Sequence, residues 1–151
     1  MEEFKSIDNI LDFAIASEQE AMDFYTDLAK HAKSKAMEEV FLQFAKEEIG
    51  HKSRLIKIKE DQSFEFKEEK ITDLKIADYL VDIEPQPDMP YREALIVAMK
   101  KEKAAFKLYT DLSNVAPNST LRDVFLSLAQ EEAKHKLRFE IEYDNNVLSE
   151  N

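Results

Sequence analysis

The chain has no cysteine, a single glycine and four prolines in 151 residues. Without cysteine there is no disulfide, no thiolate-held zinc, no iron–sulfur centre and no cysteine nucleophile. Glycine and proline punctuate strands and turns, so their scarcity points to long uninterrupted helices. No apolar run approaches the roughly 20 residues of a membrane span. The opening MEEFKSIDNI lacks the basic-then-apolar layout of a signal peptide. A cytoplasmic protein without a membrane partner is expected. Positive charge is short too: the net charge is −11, which argues against nucleic acid, since phosphate binding is driven by Lys and Arg.

What is present suits one packed domain over residues 1–151, with 44% hydrophobic and 35% charged residues. Apolar spacing near 3.6 residues marks four helical segments. The first runs from about Ile7 to Ala32, with Phe13, Ala14, Ala21, Phe24, Tyr25 and Leu28 to one side. Ser34 caps a second that reaches about Glu60 and carries Val40, Phe41, Phe44, Ala45, Leu55 and Ile58. A third starts near Asp88–Pro90 and ends around Asn114; a fourth, capped by Asn118 or Ser119, runs to about Asp144. The connection over about 61–90 is no tight turn. Phe64–Lys67 alternates as an extended piece would. Thr72 is placed to cap a short helix, Asp73 to Val81, with Leu74, Ala77, Leu80 and Val81 inward, and Pro85, Pro87 and Pro90 stiffen the approach to the third helix. Two helical hairpins joined by one long crossover make the connection pattern of a ferritin-like four-helix bundle.

An internal repeat organises these segments. Residues 14–28 align without a gap on 98–112, and 41–54 align on 125–138, both at an offset of 84. The repeat spans approximately 7–60 and 91–144. Each half places one Glu on its first helix and Glu-x-x-His on its second: Glu18, Glu48 and His51, then Glu102, Glu132 and His135. The i, i+3 spacing sets each Glu and His about one turn apart on one helix face. Glu18 and Glu48 are centred on Lys33, Glu102 and Glu132 on Pro117, each inside an expected turn. Antiparallel helices that rise equally from those turns bring each pair to one level. Four carboxylates buried together would repel or protonate. Two divalent cations cancel their charge, and carboxylate-plus-imidazole ligation suits iron, with manganese the credible substitute.

With these residues in view, the chain resembles the rubrerythrin branch of the ferritin-like di-iron superfamily over essentially its whole length. The resemblance is carried by Glu18-x-x-Ala21-x-x-Phe24-Tyr25, Glu48-x-x-His51, Glu102-x-x-Ala105-x-x-x-Tyr109 and Glu132-x-x-His135. It implies that Glu48 and Glu132 bridge two irons, with Glu18 and His51 completing one and Glu102 and His135 the other. Two departures stand out. Ala105 occupies the place of a further glutamate that, in rubrerythrin proper, exchanges with a histidine as the irons change oxidation state. The absence of cysteine means there is no rubredoxin-type iron domain, so electrons must come from an external donor such as a rubredoxin-like protein.

The expected activity is a non-haem di-iron oxidoreductase reducing hydrogen peroxide or dioxygen, in an antioxidant role, as a homodimer. A ferroxidase or iron-handling protein, or a metal-stabilised structural or sensor module, are the other readings. Tyr25 and Tyr109, seven residues past Glu18 and Glu102, are placed either to hydrogen-bond a bridging carboxylate or to serve as core tyrosines. Ala14, Ala21, Ala98 and Ala105 are small enough to leave room for a diatomic ligand near the site, and are equally ordinary close-packing residues. Glu47 and Glu131 are read as surface residues. Glu20 is a rival to Glu18 as ligand, but its repeat partner is Ala104, which decides for Glu18. His31 is read as facing a helix C-terminus or solvent. Met22, Phe41, Phe44, Phe106 and Phe125 are assigned to the core.

Overall fold

The structure, a computed structural model, describes residues 6–61, 71, 74–81 and 88–150. Helices begin where a short polar side chain takes up an orphan backbone N–H. Ser6 Oγ accepts from the Asn9 N–H at 3.2 Å and opens α1, Ile7–Lys30. Ser34 Oγ accepts from the Met37 N–H at 3.1 Å and opens α2, Lys35–Glu60. Asn118 Oδ1 accepts from the Leu121 N–H at 2.9 Å ahead of α4, Ser119–Glu150. The third helix, α3 over Tyr91–Val115, follows Pro90 and has no side-chain cap. The fixed proline φ suits the entry to a helix.

Two compact units divide the chain, Met1–Lys75 and Ile76–Asn151. In the first, α1 and α2 pack as a helical hairpin around Ile10, Leu11, Ala14, Tyr25, Leu28, Phe41, Ala45 and Leu55. In the second, α3 and α4 form the matching hairpin around Leu95, Ala98, Leu108, Tyr109, Leu112, Phe125, Leu128 and Phe139. The turn centres expected at Lys33 and Pro117 fall between the paired helices of their own hairpins.

Most boundaries match the apolar period, and the differences have physical causes. The first helix stops at Lys30, where the His31 N–H bonds back to the Leu28 carbonyl at 3.0 Å. Its core face is more aliphatic than expected: Phe13 and Phe24 are half-buried, while Ile10, Leu11 and Ala29 are buried. On α2, Met37 joins the core and Val40, Phe44 and Ile58 are half-buried. Helix α4 continues past Asp144 to Glu150. Phe106, assigned to the core, is 41% exposed.

The crossover corrects another expectation. Over 74–81, the described part of the helix expected from Asp73 to Val81 with Leu74, Ala77, Leu80 and Val81 inward, there is instead a four-residue 3-10 turn, Ile76–Tyr79. Ala77 and Leu80 are exposed and Leu74 and Val81 half-buried, whereas Tyr79 is buried. The Tyr79 hydroxyl donates to Asp111 at 2.8 Å, and Lys107 reaches the same carboxylate at 2.9 Å. Burial first, then this bond, pushes the Tyr79 phenol well above the ordinary tyrosine range. A polar anchor, not an apolar stripe, ties this part of the crossover to α3. Phe64–Lys67, Thr72, Asp73, Pro85 and Pro87 lie outside the described residues.

Candidate metal centre

Helical geometry assembles one triad in each hairpin. In the first, Glu18 comes from the middle of α1, and Glu48 and His51 lie one turn apart on α2. All three are buried to 2% exposure or less. His51 Nδ1 is 3.5 Å from Glu18 Oε2 and 3.6 Å from Glu48 Oε1. In the second hairpin Glu102 on α3 meets Glu132 and His135 on α4, again at 2% exposure or less. His135 Nδ1 is 3.5 Å from Glu102 Oε1 and 3.7 Å from Glu132 Oε1. The two halves repeat each other in distance as they do in sequence.

These separations are informative. At 3.5 Å and beyond they are too long for good hydrogen bonds. Two donor atoms, each about 2.1 Å from one cation and at a right or tetrahedral angle, stand roughly 3.0–3.4 Å apart. The triads sit close to that spacing, and within each the three ligand atoms lie within 4.8 Å of one another. The donor set is two carboxylates and one imidazole per hairpin. Carboxylate and imidazole together suit a first-row divalent metal such as iron or manganese. Buried carboxylates are costly unless a cation compensates them, so the residues present fit a metal in each half.

The neighbouring positions sort themselves by helical phase. Tyr25 and Tyr109, two turns beyond Glu18 and Glu102, are fully buried on the ligand-bearing faces of α1 and α3. Ala14, Ala21 and Ala98 are buried, and Ala105 is half-buried. Glu20 and His31 are exposed, and Glu47 and Glu131 half-buried. Phe41 and Phe125 lie in the core, and Met22 and Phe44 are half-buried.

One buried acid was not anticipated. Glu142, 7% exposed, accepts a 2.6 Å hydrogen bond from the Tyr91 hydroxyl. It follows His135 by seven residues and so shares the ligand face of α4. Its repeat counterpart is Ile58, so the signal that picked out the triads passes over it. The heptad spacing from His135 is the signal that could have found it.

Comparison with known proteins agrees with this geometry. The family described as Rubrerythrin matches residues 9–84 and 93–151. Among solved structures, the chain is similar to a Thermotoga maritima protein provisionally described as a ferritin-like diiron-carboxylate protein. That match has 22% identity and a TM-score of 0.79, covering 97% of this chain and 99% of that one. It is also similar to a hypothetical protein from Pyrococcus furiosus, with 23% identity and a TM-score of 0.70, covering 92% of this chain and 89% of that one. No curated protein is close enough in sequence to count as a match. The structural likenesses show the expected fold, all-α and ferritin-like. The family match spans most of the sequence, and the chain belongs to the rubrerythrin family.

Proposed function

We propose that this chain is a non-haem di-iron oxidoreductase that reduces hydrogen peroxide or dioxygen with electrons from an external donor. The observation that supports it most is the duplication of a buried Glu, Glu, His triad, at matching spacings, in a member of the rubrerythrin family. By the family resemblance, Glu48 and Glu132 would be ligands of the metal centre. Glu18 with His51, and Glu102 with His135, would hold iron beside them, and manganese is the alternative metal. Bound ferrous iron supplies two electrons, which with two protons convert one hydrogen peroxide to two waters.

The protein's part is electrostatic and steric. Four carboxylates neutralise two divalent cations, and held in an apolar interior they favour the added positive charge of the oxidised state. Tyr25 and Tyr109, both buried, are assigned to donate to those carboxylates and hold their orientation, the alternative being ordinary core tyrosines. Ala105 carries no carboxylate, so ligand exchange at that position has no group to perform it. With no cysteine in the sequence, the electrons come from another molecule.

The test is anaerobic metal analysis followed by peroxide titration of the reduced protein. Two irons per chain and repeated peroxide turnover under added reductant are expected. Glu48→Ala and Glu132→Ala should each lose metal and turnover together; retention of both would refute the assignment. Oxidation of iron followed by its release, with no catalytic cycling, would move the chain to iron handling.

A further inference from the structure

We infer that Met22 is a sulfoxidation site, where hydrogen peroxide converts the thioether to a sulfoxide that the Thr26 hydroxyl holds. The inference rests on the peroxide-reducing reading above only for the oxidant that the chain meets. Met22 stands on α1 one turn beyond Glu18 and about 40° around the helix from it. It is half-buried, at the rim of the ligand-bearing face. The Thr26 hydroxyl donates to the Met22 carbonyl at 2.8 Å and lies 3.5 Å from the Met22 sulfur. The carbonyl bond fixes the threonine side chain, so a donor stays beside the sulfur.

The chemistry needs only the sulfur and peroxide. A sulfur lone pair attacks one peroxide oxygen, the S–O bond forms and the O–O bond breaks. The proton of the transferred oxygen passes to the departing one, which leaves as water. Sulfur loses two electrons and peroxide gains them. A thioether is a weak acceptor, whereas a sulfoxide is polar and chiral. The Thr26 proton, shared at first between carbonyl and sulfur, therefore has a better acceptor once oxygen is added. A hydroxyl fixed on one side of the sulfur favours the lone pair at which the incoming oxygen can share that proton, so one epimer is favoured. Thr26 is a positioning residue in this step.

The other methionines and the internal repeat isolate the arrangement. Thr26 has its counterpart in Thr110, but Met22 is matched by Phe106, which has no sulfur. Met99 is also half-buried and stands three residues before Glu102, so it flanks the second triad as Met22 flanks the first. Four residues beyond Met99 comes Lys103, beyond Met89 Glu93 and beyond Met37 Phe41, none with a hydroxyl. Nearness to a ligand is thus common to Met22 and Met99, and the hydroxyl one turn on belongs to Met22.

Dilute hydrogen peroxide is added to the iron-loaded and the metal-free protein, and each methionine is followed by peptide mass spectrometry. Met22 is expected to oxidise ahead of Met89 and Met99 in both. Its sulfoxide should be mainly one epimer, read from which of the two epimer-specific methionine sulfoxide reductases restores it after digestion. Thr26→Val should slow Met22 oxidation roughly fivefold, the worth of one neutral hydrogen bond, and bring the epimers toward equality. Thr26→Ser, which keeps the hydroxyl, should restore both rate and epimer. Equal rates at Met22, Met89 and Met99, an even epimer mixture, or wild-type behaviour of Thr26→Val overturns the proposal. So does equal oxidation of Met22 and Met99 confined to the iron-loaded protein, which assigns the effect to nearness to metal. Selective Met22 oxidation without peroxide turnover keeps this site and removes the activity proposed above; turnover without selective oxidation does the reverse.

Discussion

In the α1–α2 hairpin, apart from the buried triad, two polar ties between the helices lie at or near the surface. Lys59 reaches Asp12, and Lys52 donates to Gln19 at 2.8 Å. In the second hairpin polar ties also run inward. Tyr91 donates to the buried Glu142, and Tyr79 to Asp111. Yet the triads agree in histidine-to-carboxylate spacing, at 3.5 and 3.6 Å in one half and 3.5 and 3.7 Å in the other. The contrast separates two kinds of constraint. Matching triads are what a metal, which tolerates little variation in donor placement, would require of both halves. The polar scaffold around it is free to differ, because a hairpin can be tied together in several ways.

The strongest challenge to that equivalence is made at the ligands. Glu48→Gln and Glu132→Gln each remove one buried negative charge. In metal-free protein each is expected to raise stability by about 1–3 kcal/mol, because it relieves the repulsion between the two buried carboxylates of its triad. With metal present the order reverses: wild type gains several kcal/mol from binding, and either variant loses most of that gain. Melting curves with and without ferrous iron or manganese read both signs. Matching behaviour of the pair is the expected result, and metal-dependent stability lost in only one variant would end the functional equivalence of the halves.

Core packing provides the next comparison. Phe41 and Phe125 are repeat partners and both fully buried. Phe41→Ala and Phe125→Ala should each cost about 3–5 kcal/mol in urea denaturation. A much smaller cost in one hairpin would show that its core collapses around the cavity and is the more plastic half.

A third comparison uses the buried pair that only the second hairpin has. Tyr91→Phe removes the donor to Glu142 and leaves a buried acceptor unmet, a loss of about 1–3 kcal/mol. Replacing both residues by their repeat counterparts, Tyr91→Ile with Glu142→Ile, converts this end of the hairpin to the apolar form of Ile7 and Ile58. The double variant should recover most of the loss, since a buried polar pair exchanged for well-packed apolar side chains is often neutral. A double variant as unstable as Tyr91→Phe would mean that the pair does more than hold the helices together.

How much of this was legible in the sequence depends on the same distinction. The triads could be read because helical period, repeat offset and turn centres all select the same six positions, and each constraint is independent of the others. Helix ends at Ser34, Glu60 and Asn118 could be read because capping is local chemistry between neighbours. The crossover could not. Leu74, Ala77, Leu80 and Val81 have helical spacing, but Tyr79 is held by Asp111 from a helix 32 residues away, and period carries no information about such a bond. Glu142 escaped for a related reason: a buried acid looks like a surface acid until its donor, 51 residues earlier, is placed against it. Phe106 was misplaced because an aromatic residue beside a ligand helix suggests the core, while its phase on α3 leaves it 41% exposed.

The smallest expected effect concerns the only glycine, Gly50, between Glu48 and His51 on α2. A glycine inside a helix costs backbone entropy, yet a Cβ built at Gly50 meets nothing within 4 Å. No steric demand for glycine exists there, and the repeat partner is Lys134. Gly50→Ala should therefore stabilise the chain by about 0.5–1 kcal/mol without disturbing the ligands. The discriminating measurement pairs the melting temperature with metal affinity. If stiffening this turn raises the melting temperature and leaves affinity unchanged, α2 already holds Glu48 and His51 as firmly as α4 holds their counterparts. If affinity changes as well, freedom at Gly50 is part of how the first triad closes on its metal, and the two halves differ at the ligands as well as around them.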